Sequence, residues 1–191
     1  LLADQGAEVI KVESPGGDIC RRIGPAKGDL SATFVAMNRG KRSIVLDLKS
    51  DDGRAVLRDL IVRADVLMEN FRPGVLAKLG FDRDTLLEIN PRLIYLSITG
   101  FGQDGPYTDA RVYDAVIQAV SGMCASHLEK PGGEPGLVAT TICVKLTSMT
   151  AAQAVTAALV ARGRDGKGRV VELSMLDTAL VTGESLPVAA A

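Results

Sequence analysis

Four short segments of the sequence carry residue types that bind phosphate groups. They are Asn38–Ser43, Glu69–Gly74, Gly100–Pro106 and Arg111–Asp114. In the second segment, Asn70 offers an amide, Phe71 a flat aromatic face and Arg72 a guanidinium whose planar donors match phosphate oxygens. The first segment is basic, and Lys49 follows it closely. These residue types predict a site for a polyphosphate ligand such as ADP.

Each segment also has an ordinary structural explanation. A basic turn such as Asn38–Ser43 is usually solvated, and Asn70 to Pro73 can be a helix cap above a core Phe. The glycines of Gly100–Pro106 lack the GxGxxG spacing of dinucleotide sites. The position of two of the segments directly after strands therefore indicates a phosphate site more strongly than any segment alone.

The sequence lacks the motifs of common catalytic and metal sites. Its single histidine, His127, lies in a polar loop, and it has no GxSxG, Walker A or HExxH motif. Cys20, Cys124 and Cys143 form no CxxC pair, which predicts buried free thiols in a reducing compartment. We expect no metal site.

Composition predicts a soluble globular protein without a nucleic-acid or membrane partner. The 191 residues are 47% hydrophobic and 24% charged, with a formal net charge of -1. The most apolar stretch, Ala151–Ala161, is too short to cross a bilayer. No basic region followed by an apolar one opens the sequence, so no signal peptide is predicted and the cytoplasm is expected.

The two ends of the sequence indicate a fragment. Leu1–Gly6 is typical of a helix end, with Gly6 as its C-cap. Leu186–Ala191 stops without a closing element. We therefore expect a chain that is incomplete at both ends.

The pattern of apolar residues predicts strands that alternate with helices, which favours an α/β fold with a parallel sheet covered by helices. Two of the four segments, Glu69–Gly74 and Gly100–Pro106, then lie at the carboxyl ends of strands, where such sheets bind ligands. Ser14–Leu30 and Lys130–Gly136 are predicted loops. The predicted strands are Glu8–Glu13, Ser43–Asp47, Asp65–Glu69, Leu93–Thr99 and Val170–Leu173, and the predicted helices are Asp51–Ala64, Pro73–Leu79, Asp84–Ile89, Tyr113–Cys124, Leu146–Arg162 and Met175–Val181.

Successive blocks of the sequence resemble the family III (CaiB/BaiF) CoA transferases. These blocks are LLADQGAEVIKVESPGGD, MNRGKRSIVLDLKS, ADVLMENFRPGVLAKLGFD, NPRLIYLSITGFGQDGPY, YDAVIQAVSGM and GKGRVVELSMLDTALV. The resemblance implies a Rossmann-like open parallel sheet with flanking helices. Residues 1–191 would be the CoA-binding large domain, without its first strand and without the small domain.

The resemblance also implies a reaction. Such enzymes move CoA from an acyl-CoA donor to a carboxylic acid and hold no permanently bound cofactor. An Asp attacks the thioester to give a mixed anhydride, and an aspartyl-CoA thioester follows. Two subunits interlock, so a homodimer is expected for the full-length chain.

Carried onto this sequence, the family motifs imply a set of CoA contacts. Lys78 takes the place of an Arg found in other members. It keeps the positive charge but lacks the paired, planar N–H donors of a guanidinium. Asp114 stands where some members have a Glu near the active site, and is a candidate catalytic residue. The implied CoA contacts are Ser14, Leu46, Asp47, Leu48, Lys49, Asn70, Phe71, Arg72, Lys78, Ala110, Arg111, Val112 and Tyr113.

One position departs from the family pattern. Val144 stands where members commonly carry the nucleophilic Asp, in the block just before the long apolar helix. Val has no oxygen to attack a thioester, and neither Cys143 nor Lys145 obviously replaces it.

Three hypotheses follow. The chain is a CoA transferase by descent, inactive as written. Alternatively it is a non-catalytic subunit that binds CoA thioesters. The third hypothesis, an isomerase like the α-methylacyl-CoA racemases, requires a His in the block now occupied by Arg111–Asp114.

Overall fold

The computed structural model describes residues 1–125 and 134–183. Three features expected from the sequence lie wholly or largely outside these residues. They are His127, most of the loop at Lys130–Gly136 and the end at Leu186–Ala191.

The chain divides into two compact units, Leu1–Arg63 and Ala64–Ala191. Within the described residues, the first unit has a two-stranded parallel sheet and the second has a three-stranded parallel sheet. Helices flank these sheets, so the predicted α/β class is confirmed. The parallel strands are distributed over two sheets, one in each unit.

The first unit combines a parallel strand pair with a small hairpin. In chain order it consists of a 3-10 helix at Ala3–Gln5, β1 (Val9–Glu13), a 3-10 helix at Ile19–Arg22, β2 (Ala26–Lys27), β3 (Leu30–Ser31), α1 (Ala32–Asn38), β4 (Lys41–Val45) and α2 (Asp51–Arg63). β1 pairs with β4 in parallel, and β2 pairs with β3 antiparallel. Gly6 ends the first helix with a φ of 96°, which confirms the predicted C-cap.

The segment between β1 and α1 is ordered around the buried carboxylate of Glu13, although the sequence predicts a loop there. Arg21 donates two hydrogen bonds of 2.8 Å to Glu13, from Nε and Nη2. Ser43 Oγ donates a third, at 2.6 Å. The Arg21 guanidinium also lies 3.9 Å from the ring centre of Phe34. The hydrogen bonds to the carboxylate, first of all those from Arg21, lower the pKa of Glu13 to about 2.

The sequence does not predict α1, because its apolar residues fall in a stretch too short to show a helical period. Its start is fixed by Ser31, whose Oγ accepts a hydrogen bond of 2.9 Å from Phe34 N. The same hydroxyl donates to the carbonyl of Cys20 at 2.5 Å. The cap therefore joins α1 to the preceding 3-10 turn.

The second unit is a parallel sheet with its helices in the connections. It contains β5 (Val66–Glu69), α3 (Val75–Lys78), α4 (Arg83–Ile89), β6 (Ile94–Thr99), α5 (Asp114–Val120), α6 (Ile142–Asp165), β7 (Arg169–Ser174) and α7 (Met175–Gly183). β6 lies between β5 and β7. Ile94 and Leu96 of β6 are fully buried. The central strand therefore lies in the core of this unit.

Two helix boundaries differ from the prediction in a way that affects the site. α6 begins at Ile142, not at Leu146, so position 144 lies in the first turn of the helix and not before it. A tertiary hydrogen bond described below stabilises this early start. α5 ends at Val120, because Gly122 turns the chain with a φ of 79°.

Among the described residues, α6 is the one helix long and apolar enough to cross a membrane by length and composition. It packs against β6, β7, α5 and α7 of its own unit. Cys143, Ala151 and Val155 on α6 are buried. One side of α6 therefore packs against its own unit.

Candidate functional site

In the first unit, the predicted CoA contacts lie where two parallel strands end. Ser14 follows β1 and Leu46–Lys49 follows β4, and Leu46 N donates to the carbonyl of Glu13 at 2.9 Å. Leu46 is buried, whereas the side chains of Ser14, Asp47 and Lys49 are exposed. The structure therefore brings these predicted residues to one edge of the sheet.

In the second unit, Asn70, Phe71 and Arg72 follow the carboxyl end of β5, and all three side chains are exposed. Glu69 orders this loop, because its Oε2 accepts a hydrogen bond of 2.7 Å from Phe71 N. Lys78 is the last residue of α3 and is also exposed. These polar and aromatic side chains are free to meet a ligand at the strand ends.

A cavity of about 140 Å³ lies beside this loop on one face of the sheet. Tyr95 donates to Glu69 Oε1 at 3.1 Å, and Gln103 Nε2 donates to Ser97 Oγ at 3.0 Å. Burial raises the pKa of Tyr95 to about 12, and the nearby Glu69 carboxylate adds to this effect. Arg72 also lines the cavity. Tyr95 and Ser97 are not among the predicted site residues, although side chains alternate along β6 and residues two apart lie on the same face.

The predicted contacts Ala110–Tyr113 form the loop that leads into α5. Val112 packs against Gly100 at the carboxyl end of β6, so closely that a Cβ on Gly100 would lie 2.2 Å from Val112 Cγ1. Arg111 and Tyr113 are exposed. The loop is therefore held at the same sheet edge as Asn70 to Arg72.

The two predicted catalytic positions, Val144 and Asp114, are in direct contact. Val144 N donates a hydrogen bond of 2.8 Å to Asp114 Oδ1. Asp114 is nine-tenths buried, whereas Val144 is 37% exposed. Thr141, the N-cap residue of α6, makes no side-chain cap, so Asp114 supplies one from α5. The structure therefore presents the side chain at position 144 outward from a capped helix end.

Neither neighbour of Val144 is placed to act as a nucleophile. Cys143 is fully buried, and burial with the nearby Asp114 carboxylate raises its pKa to about 11. Such a thiol is not a thiolate at neutral pH. Lys145 Nζ donates to Thr140 Oγ1 at 2.5 Å. The geometry therefore gives no support for either side chain as a replacement for the missing nucleophile.

Gln118 is a site residue that sequence reasoning missed. It is 2% exposed, and its Nε2 donates to Asp114 Oδ2 at 2.7 Å. A signal was present, because Gln118 lies four residues after Asp114 and interrupts the apolar face of a helix. No part of the sequence showed that Gln118 contacts the segment before α6, or that Asp114 contacts the first turn of that helix.

Parallel sheets flanked by helices, with loops at the carboxyl edges where such sheets bind ligands, define an α/β protein of the open-sheet type. The chain belongs to CoA-transferase family III, whose family model matches residues 1–189. Among the described residues, no group of three or more His, Cys, Asp and Glu side chains is placed to hold a metal ion.

Named relatives and a solved structure agree with this membership. The succinate–glutarate CoA-transferase of Agrobacterium fabrum is 46% identical over 185 residues, which cover 93% of this chain and 46% of that protein. The acetyl-CoA:oxalate CoA-transferase of Acetobacter aceti is 46% identical over 183 residues, with 94% and 46% covered. The crystal structure of a CAIB/BAIF family protein from Brucella suis has a TM-score of 0.90 at 41% identity, with 95% and 49% covered. The chain therefore spans about half the length of the curated relatives it matches.

Proposed function

We propose that the complete protein is a CoA transferase by descent, which binds an acyl-CoA and a carboxylic acid at the site around position 144. The observation that carries this proposal is the set of main-chain and side-chain contacts around that position. Its main-chain N–H is held by Asp114, and its side chain is exposed at the first turn of α6. Val144 lacks only the oxygen atoms that the family reaction uses.

The reaction implied by the family requires a carboxylate at this point. The carboxylate attacks the thioester carbonyl, the C–S bond breaks, and a mixed anhydride and CoA thiolate form. The thiolate then attacks the enzyme's carbonyl, which gives an aspartyl-CoA thioester and releases the donor acid. The acceptor carboxylate and the thiolate repeat these steps in reverse order. The side chain of Val144 is a hydrocarbon without a lone pair, so it cannot form any of these bonds.

Two groups of residues are proposed to hold CoA. In the first unit they are Ser14 and Leu46–Lys49, and in the second they are Asn70–Arg72, Lys78 and Ala110–Tyr113. The guanidinium of Arg72 and the ammonium of Lys49 suit phosphate groups. The relatives named above act on succinate, glutarate and oxalate, which favours a small dicarboxylic acid as the second substrate.

A second function is favoured by Val144 itself. The apolar side chain of Val144 lies on the exposed first turn of α6 and cannot form an acyl-enzyme. The protein would then bind CoA without transferring it. Such a protein would bind CoA thioesters alone, or pair with an intact paralogue in a mixed dimer.

We further propose that the complete protein is a cytoplasmic homodimer. The three cysteines are free in the described residues, which supports a reducing compartment.

The deciding experiment uses the complete natural protein and two substitutions of similar size. Val144→Asp supplies a carboxylate, whereas Val144→Asn supplies an amide that cannot attack. We expect CoA exchange between acyl-CoA and succinate only in Val144→Asp, and an acyl or CoA adduct of that variant in intact-mass spectra. Calorimetry should show CoA binding by all three proteins.

The outcomes separate the candidate functions. CoA binding without exchange in Val144→Asp contradicts the transferase proposal and leaves a CoA-binding protein. Exchange in the unsubstituted protein contradicts the proposed role of position 144. Uptake of deuterium at the α-carbon of a branched acyl-CoA would instead support the racemase hypothesis.

A further inference from the structure

The side chain of Gln118 joins α5 to the segment that leads into α6. Its Nε2 donates to Asp114 Oδ2 at 2.7 Å and to the carbonyl of Thr140 at 3.2 Å. Its Oε1 accepts from Val138 N at 2.8 Å. Asp114 in turn accepts from Val144 N at 2.8 Å. One buried amide and one buried carboxylate therefore hold residues 138–144 at three main-chain points.

The orientation of this amide is determined by the main chain. Val138 N–H can only donate, so it must face the oxygen of Gln118, and the nitrogen must then face Asp114 and the carbonyl of Thr140. A carboxylate or an apolar side chain at position 118 cannot make the same set of bonds. Because the group is 2% exposed, water cannot readily replace a lost partner.

We infer that Gln118 is a positioning residue for the nucleophile position, and that Asp114 acts with it as part of a clamp rather than as a proton-transfer group. This inference rests on the proposed function. Both oxygens of Asp114 already accept hydrogen bonds, one from Gln118 and one from Val144 N. The clamp consists of Asp114 and Gln118. It fixes the main-chain position of residue 144 and therefore the point from which its side chain extends.

The clamp matters because α6 has no side-chain cap of its own at Thr141. The first turn of a helix frays when its N–H groups lack partners. The Asp114 carboxylate supplies both a hydrogen bond and a negative charge at the helix N-terminus. A reacting group on this turn must be held to within about 1 Å, since such a displacement costs roughly 100-fold in rate.

The test uses the complete protein with Val144→Asp as its background. Gln118→Glu should reduce kcat by roughly 10- to 100-fold at pH 8, with KM for acyl-CoA changed less than about threefold. The new carboxylate would face the carboxylate of Asp114. Further titratable groups nearby are Cys143, Cys124, Lys145 and the Asp introduced at position 144. The pKa of the new carboxylate is raised, so kcat should recover as the pH falls and the protonated acid donates to Asp114.

A reciprocal pair of substitutions separates positioning from proton transfer. In Asp114→Asn with Gln118→Glu, the amide at 114 can donate to the carboxylate at 118 and still accept from Val144 N. We expect this pair to regain at least roughly tenfold over Gln118→Glu alone at pH 8, since it removes the clash of two carboxylates. Gln153→Glu on the exposed side of α6 is the control and should change nothing. Equal activity of Gln118→Glu and its background, or no rescue by the pair, would overturn the clamp.

A measurement without activity keeps this result distinct from failure of the proposed function. Gln118→Met should speed amide hydrogen exchange of Val144 by at least roughly tenfold, while the amide of Val155 deep in α6 is unchanged. If Val144→Asp is inactive but this exchange increases, the transferase proposal fails and the clamp stands. If the Val144 amide stays protected in Gln118→Met, the clamp is wrong.

Discussion

Glu13 shows how strongly a single buried carboxylate can order a segment with little regular structure. It is 4% exposed and pairs with Arg21 through two hydrogen bonds of 2.8 Å. Asp18 N donates a further bond of 3.0 Å to the same carboxylate. Removing one partner of a buried ion pair leaves the other charge unpaired, which is more costly than the loss of an exposed pair.

We predict that Glu13→Gln lowers the free energy of unfolding by about 3 kcal/mol at pH 7. The pKa of Glu13 is lowered from 4.5 to about 2. Its charge therefore stabilises the fold fully above pH 4.5, and that contribution is lost as the pH falls from 4.5 through about 2. Urea titrations at pH 7 and pH 3 check both the size and the pH dependence.

The matched control is Glu8→Gln, which removes a pair with Arg42 that is mostly exposed on both sides. Its effect should stay below about 1 kcal/mol. An equal loss of stability for the two variants would contradict a special role for the buried carboxylate.

The residues at strand ends could be predicted from the sequence, whereas the clamp could not. Asn70 to Arg72 follow a strand that is visible in the apolar pattern, so their edge position follows from the fold class. The contact of Asp114 with Val144 N joins residues 30 apart. It depends on how α5 and α6 pack, and no local pattern encodes that packing.

At the scale of elements, three helices of the second unit, α5, α6 and α7, meet around a small apolar cluster. Ile117 of α5, Cys143 of α6 and Ala179 of α7 are buried together, and Phe101 and Val112 pack against them. The loop before α5 is thereby joined to the same core as the first turn of α6. A substitution at the end of β6 should therefore displace the predicted CoA contacts in the loop before α5.

We predict that Gly100→Ala weakens CoA binding by displacing the Ala110–Tyr113 loop. The new Cβ would lie 2.2 Å from Val112 Cγ1, which no real contact tolerates. Val112→Ala in the same protein removes the clashing methyl groups and should restore part of the affinity. Calorimetry with CoA compares the single and double variants, and equal affinity in Gly100→Ala and the unsubstituted protein would show that the loop does not contribute to binding.

The boundary of α6 shows what limits prediction of elements. Its apolar residues indicate a helix from Leu146, but the helix starts at Ile142. The additional turn contains Cys143, Val144 and Lys145 and has no capping side chain of its own. A partner from α5 stabilises it, so its existence is a property of tertiary structure.

At the scale of the whole molecule, the predicted CoA contacts fall in both units. Those of the first unit follow β1 and β4, and those of the second follow β5 and precede α5. The resemblance assigned both groups to one ligand class, and each group lies at the carboxyl edge of its own parallel sheet. Both units are therefore expected to contribute to the affinity of the complete protein for CoA.

We predict that Lys49→Ala in the first unit and Arg72→Ala in the second each weaken CoA binding by roughly tenfold, since a hydrogen bond to a charged group contributes about 1.5 kcal/mol. Arg72→Lys should recover only part of this loss, because an ammonium lacks the planar fork. Lys167→Ala is the control, since this exposed lysine lies in the turn before β7, at the opposite edge of the sheet. Calorimetry on the complete protein measures all four variants. Unchanged affinity in Lys49→Ala would show that Lys49 does not contribute to CoA binding. A loss in Lys167→Ala as large as that in Arg72→Ala would show that the lysine and arginine act only by general electrostatic attraction.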